Sequence, residues 1–159
     1  MYYNIYQVGE KPIDKKGYIT ADSFSDHDFI GRIADYVDNV DDRNYEIKML
    51  AEWLAENRLG RVESNILTLN GYMLLSNYFY EKYKAFHKTA KSLCAIDERQ
   101  FMDFYYTSEL VFYLTRNFNN ERGIYIYQKD HELITMDEFL RTARVDTPYY
   151  IGGVCKYHC

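Results

Sequence analysis

Cys155, His158 and Cys159 bring three side chains able to bind a soft metal into five residues. Structural zinc needs four such ligands, usually in two spaced pairs. The other soft donors are Cys94 and the scattered His27, His87 and His131. The terminal trio therefore reads as a weak metal candidate, and no metal or other cofactor is expected. A nucleophilic cysteine needs a neighbouring base and a lowered pKa. No signature of that kind surrounds Cys94, which reads as a small buried hydrophobe. His27 lies between Asp26 and Asp28, an arrangement that would stabilise an imidazolium, but it has no accompanying nucleophile. Phosphate-cradling glycine loops, the G-x-S-x-G elbow and the H-E-x-x-H helix are all missing from the sequence. Catalytic residues are not identified, and an enzyme is disfavoured.

The carboxylates and tyrosines carry a better hypothesis. Ten acidic residues between Asp22 and Glu56 face only Arg32, Arg43 and Lys48. Asp28, Asp35 and Asp42 are spaced by seven, so an uninterrupted helix would hold them on one face. The ordinary reading is a pair of solvated helix faces with carboxylates near their N-termini. The sharper reading takes Asp28, Asp35, Asp38, Asp42 and Glu46 as an array that imitates duplex phosphates and faces a basic protein groove. Direct nucleic-acid binding is disfavoured by the same charge. A lysine stripe from Lys82 to Lys91, interleaved with Tyr83 and Phe86, is the exception, and such stripes are usually the wet side of a helix.

Eighteen Tyr and nine Phe are an excess of large rings. Tyrosine supplies contact area and a hydrogen bond at low entropic cost. Tyr2, Tyr3 and Tyr6 near one end of the chain, and Tyr149, Tyr150 and Tyr157 near the other, would meet if their segments form neighbouring strands. Tyr3 and Tyr150 are then candidate partner contacts, unless helices cover that face.

The elements that must position these residues follow from periodicity and capping. Residues 2 to 8 alternate as a strand, and Tyr18 to Thr20 allow a short second one. A helix is expected from Ser25 to Val40, with Phe29, Ile33, Tyr36, Val37 and Val40 as its buried stripe. Asp41 and Asp42 cap a second helix whose core face is Ile47, Leu50, Ala51 and Leu54. Residues 61 to 70 read as a short strand or extended link. A third helix runs from Gly71 to Ala95. A fourth, capped by Asp97 with Gln100, runs to Asn119 and is apolar around most of its circumference, as expected of a helix at the middle of the core. IYIYQ and Leu133–Ile134 suit strands, and Thr135 with Glu138 forms a capping box for a short helix. The terminal YYIGGVCKY is extended, with a bulge or close approach at Gly152 and Gly153.

These elements predict an α+β fold: about five helices on a small, mostly antiparallel sheet built from the N-terminal and C-terminal strands. At 159 residues the chain fits one domain spanning residues 1 to 159. It lacks an apolar run long enough to cross a membrane and the order of a signal peptide, and its three cysteines are an odd count, so a cytoplasmic, reduced protein is expected.

The stretch FIGRIADYVDNVDDRNYEIKMLAEWL, residues 29 to 54, resembles small accessory proteins carried by mobile elements of low-GC Gram-positive bacteria. That resemblance implies a host-defence antagonist of the anti-restriction or anti-CRISPR kind, acting by occluding a nucleic-acid-binding enzyme. It transfers no functional residue. The expected function is thus a stoichiometric protein-binding inhibitor of a basic, nucleic-acid-binding enzyme. The alternatives are a small enzyme or metal protein using Cys155, His158 and Cys159, or a structural component that self-associates.

Overall fold

A computed structural model describes residues 1–159. Strand β1 (Tyr2–Gly9) leads through a long loop to β2 (Tyr36–Asn39), helix α1 (Arg43–Glu56) and the hairpin β3 (Gly60–Glu63) and β4 (Ile66–Leu69). Helices α2 (Gly71–Met73), α3 (Phe79–Cys94), α4 (Glu98–Met102) and α5 (Phe104–Phe118) follow, then β5 (Tyr125–Tyr127), β6 (Leu133–Thr135), α6 (Met136–Thr142) and the long β7 (Tyr149–His158). The fold is α+β, with a seven-stranded sheet ordered β3-β4-β7-β1-β5-β6 and β2 added beside β7. Only β1 and β5 pair in parallel; every other pairing is antiparallel.

Two compact units divide the chain, residues 1–71 with 121–159 and residues 72–120. In the first, β7 is the organising strand. Its whole length runs along β1, and on its other side it holds β4 at Tyr149 and Tyr150 and β2 from Cys155 to His158. One sheet face buries Ile5, Tyr125, Cys155 and Tyr157 beneath Ile19, Phe24, Phe29, Ala34 and Val37. The opposite face receives α1, which buries Ile47, Leu50 and Leu54 and accepts the Tyr6 hydroxyl at the Glu46 carbonyl, 2.8 Å away.

The bulge foreseen at Gly152 and Gly153 lies where the β1–β7 register shifts between Tyr6 and Val8. Bulged residues lose ladder partners, and two side chains replace them. Gln7 Oε1 accepts from Gly153 N (2.8 Å) and Ile19 N (3.1 Å). Arg43 donates Nε to Gly152 O (2.6 Å) and Nη2 to Ile151 O (2.8 Å), with its guanidinium 4.8 Å from the Tyr18 ring centre.

The helix expected from Ser25 to Val40 does not form. That segment is a short 3-10 helix (Ala21–Phe24), a run of turns and then β2. The apolar residues spaced by about four still go inward at Phe29 and Val37, but Gly31 takes φ +87° and Asp35 N bonds His158 O at 2.8 Å. The open edge of β7 offers this backbone a ladder, and burial is met without a helical stripe. Tyr18 to Thr20 likewise form no strand.

Residues 61 to 70 resolve into a hairpin. Ser64 and Asn65 at its tip both have positive φ, 50° and 64°, as tight antiparallel hairpins require. Asp42, Asp97 and Thr135 cap their helices as the sequence indicates.

The second unit is helical. Asp103 interrupts the expected fourth helix and caps α5 by accepting from Tyr106 N. Helices α3 and α5 meet through Phe86 and Phe118, whose ring centres are 6.3 Å apart, and through Asn117 and Thr89. The expectation that this last helix forms the middle of the core is overturned: α5 contains no buried residue, and Tyr105 is 84% exposed. Apart from Leu74, every buried hydrophobic residue belongs to the sheet unit.

Candidate protein-interaction surface

Period-2 alternation on three adjacent strands builds the site. Tyr2 of β1, His158 of β7 and Tyr36 of β2 stand opposite one another, and the next outward row is Asn4, Lys156 and Asp38. Glu46, in the first turn of α1, reaches this second row through its carboxylate, which accepts from Asn4 Nδ2 at 2.6 Å.

The groups of the first row hold one another. The Tyr2 and Tyr36 hydroxyls are 2.5 Å apart. The His158 ring stacks on Tyr36 with centroids 5.4 Å apart and planes 7° from parallel, and Tyr2 approaches it edge-on at 5.0 Å. Asp35 Oδ2 lies 2.9 Å from His158 Nδ1. The hydrogen bond to Tyr2 pushes the Tyr36 phenol up to about 12, and Asp38 and Asp35 push it the same way. Lys156 extends its ammonium over the Tyr2 ring, 5.8 Å from the centroid, and comes within 4.0 Å of Asp41.

The charge of this edge is negative. Asp35, Asp38, Asp41, Asp42 and Glu46 fall within residues 35 to 46. Arg43, the basic residue of that segment, turns inward to the β7 carbonyls. Lys156 brings one ammonium within 4.0 Å of Asp41, and the Met1 amino group lies 3.1 Å from His158 Nε2. Exposed Tyr2, Tyr36 and Tyr45 flank the carboxylates. Such an edge has aromatic area and excess negative charge to offer, a combination suited to lysine and arginine side chains.

The candidate residues taken from the sequence are dispersed by this fold. Asp35 and Asp38 join the strand edge, whereas Asp42 spends one oxygen capping α1 at Asn44 N and Tyr45 N. Glu46 is half-buried beside Asn4. Asp28 sits in the preceding turns, 3.2 Å from His27. With no helix over residues 25 to 40, the spacing of seven does not align Asp28, Asp35 and Asp42, and a continuous acidic helical face is not formed.

Tyr3 turns to the core side, its ring 5.7 Å from Tyr157, and is half-buried. Tyr150 is half-buried between Gly9 and Ile66. Neither is among the exposed tyrosines. The exposed tyrosines of the sheet unit, Tyr2, Tyr36 and Tyr45, alternate with inward residues in YYN, YVDN and the first turn of α1. Tyr36 was missed because a helical reading places it on a buried stripe.

Strand alternation also separates the terminal Cys/His trio. Cys155 is buried in the core with Cys159 packed against it, while His158 points to the opposite face beside Asp35. Groups of three or more Cys, His, Asp or Glu placed to hold a metal ion are not found. Burial pushes the Cys155 thiol up to about 12, the reverse of what a nucleophile or metal ligand needs. All three cysteines are free, and Cys94 is exposed instead of buried.

No protein-family model, curated protein or solved structure matches this chain. No helix is long and apolar enough to cross a membrane.

Proposed function

We propose that this protein is a non-catalytic binding protein that occludes a basic, nucleic-acid-binding enzyme, an inhibitor of the anti-restriction or anti-CRISPR kind, and that it works in the cytoplasm with its thiols reduced. Its contact surface is the edge formed by β2, the start of α1 and the ends of β1 and β7. The observation that supports this reading is the placement of five carboxylates within residues 35 to 46 beside exposed Tyr2, Tyr36 and Tyr45. Lys156 over the Tyr2 ring and near Asp41 illustrates within the chain the type of group a partner would bring. The same negative field disfavours direct contact with nucleic acid. The imitation of phosphate is therefore carried by a strand edge and a helix cap, not by a helical stripe.

The test compares capture from a bacterial lysate by the wild-type chain and by Asp35→Lys/Asp38→Lys/Asp41→Lys, followed by assay of the captured enzyme's nucleic-acid cleavage. The variant leaves the Asp42 cap and the buried core untouched. Charge reversal should slow association by about tenfold or more, and salt should weaken the wild-type complex, as expected for electrostatically steered contacts. A complex indifferent to both, or one that leaves cleavage unaffected, refutes the reading.

A further inference from the structure

Strand β2 is paired on one side only: β7 forms its ladder, and no other strand joins it. In an antiparallel ladder, a residue that exchanges both main-chain bonds with one neighbour is followed by a residue whose N–H and C=O turn to the opposite side. Cys159 N bonds Met1 O, on the β1 side of β7, whereas His158 O accepts from Asp35 N on the β2 side. Lys156 and His158 therefore serve β2 through their register partners Asp38 and Tyr36. Val37 and Asn39 then turn their N–H and C=O groups away from β7, and no bond within the chain uses those groups. Main-chain groups buried away from water are almost always paired, so an unpaired row beside exposed Tyr36, Asp38 and Asn39 marks an edge open to solvent.

The side chains along this edge define what it can take. Lys156 stands opposite Asp38 in the ladder, and His158 covers one face of the Tyr36 ring by stacking on it. A further strand laid along β2 would place one side chain beside the Asp38 carboxylate and another, two residues away, beside the face of Tyr36 turned from His158. Both neighbours select a cation, the carboxylate by its charge and the ring by its negative face. The β2 edge of a second copy would instead bring Asp38 near Asp38, a repulsion of the kind that keeps strand edges apart.

We propose that β2 captures an extended segment of its partner as an added strand, bonded to the outward N–H and C=O groups of Val37 and Asn39. The segment carries lysine or arginine at alternate positions, with apolar residues between them. This inference rests on the occlusion of a basic enzyme proposed above and specifies how the contact is made. Main-chain bonds supply the grip, while Asp38 and Tyr36 supply the choice of partner. At about 3.3 Å per residue, the four residues of β2 accommodate a segment of about five residues.

The probe is the peptide acetyl-Lys-Val-Arg-Val-Lys-amide, titrated into the full isotope-labelled chain and followed by NMR. Binding is expected below about 1 mM, with amide exchange at Val37 and Asn39 slowed by about tenfold or more at saturation. Methylating both valine nitrogens removes the donors that face β2 and should weaken binding by about tenfold or more. Asp38→Lys, at an exposed site, should weaken it by about tenfold as well. No binding up to about 1 mM, equal binding by the methylated peptide, or equal binding by acetyl-Glu-Val-Glu-Val-Glu-amide overturns the proposal. So does protection of Val37 and Asn39 that appears in the chain alone as its concentration rises, which gives the edge to a second copy. The two readings fail separately. An enzyme captured through the acidic edge but not displaced by excess peptide refutes strand addition and leaves occlusion standing, whereas peptide binding as described upholds strand addition even where no enzyme is captured.

Discussion

Replacing Arg43 with Met removes the side chain that joins the start of α1 to the bulge of β7. Two donors are lost at once, Nε to Gly152 O at 2.6 Å and Nη2 to Ile151 O at 2.8 Å, and Gly152 lies in the bulge without a register partner in β1. A hydrogen bond to a charged group contributes about 1.5–3 kcal/mol, and the guanidinium over Tyr18 adds about 0.5–1 kcal/mol. The site is only part-buried, so water recovers some of this, and the expected cost is about 3 kcal/mol, a large share of typical domain stability. At roughly 2–4 °C per kcal/mol for a chain of this size, the Tm should fall by about 6–12 °C. Arg43→Lys should recover less than half of the loss, because an ammonium cannot present two parallel donors. Urea unfolding followed by circular dichroism gives the free energy, and the m-value checks that the unfolding transition is unchanged in kind. If Arg43→Met lies within about 1 kcal/mol of wild type, or Arg43→Lys is neutral, the bridge across the bulge does not hold the fold as argued.

Other perturbations test neighbouring claims. A Cβ on Gly153 would lie 2.6 Å from both the backbone N and O of Ile19, so Gly153→Ala should destabilise by at least about 2 kcal/mol in chemical unfolding. Tyr157→Phe removes a buried hydroxyl that donates to Gly123 O (2.7 Å) and accepts from Gly123 N (3.1 Å). Two backbone groups lose their partner, at a cost of about 2–3 kcal/mol in the same assay. Burial raises Cys155 from 9.0 to about 12 and raises Tyr6, Tyr125 and Tyr157 above 10.0. The folded chain therefore holds protons that the unfolded chain releases. The stability tied to them is complete below about pH 9 and declines by about 1.4 kcal/mol per group per pH unit above each unfolded pKa. Cooperative alkaline unfolding near pH 10–11.5, read by tyrosinate absorbance together with circular dichroism, is expected. At about pH 8 a thiol reagent should modify Cys94 and spare Cys155 until the chain unfolds.

Local chemistry explains what was legible in the sequence. Helix caps depend on side chains within three residues of the backbone they bond, so Asp42, Asp97 and Thr135 could be read directly. Paired glycines likewise marked the β7 bulge. The segment before α1 was misread because Phe29, Ile33 and Val37 are spaced by four, while the ladder that holds Tyr36 to Asn39 comes from β7, far along the chain. No local pattern reports that edge. Helix α5 was misread for a different reason: rings around a helix imply burial only when a second layer exists to bury them. The acidic edge was half legible, since the sequence displays its carboxylates but not the register that sets Asp38 opposite Lys156 and Tyr36 opposite His158.

The pairing of Tyr3 with Tyr157 has a consequence for how the chain reaches its shape. Contacts within α3 to α5 are short in sequence and can form early, whereas β1 acquires its main neighbour only after β7 has been made. Closing so long a loop is slow. Until then β1, rich in tyrosine, has only the short parallel strand β5 to pair with, and the interval between synthesis and closure is when this chain is most exposed to aggregation and most dependent on chaperones.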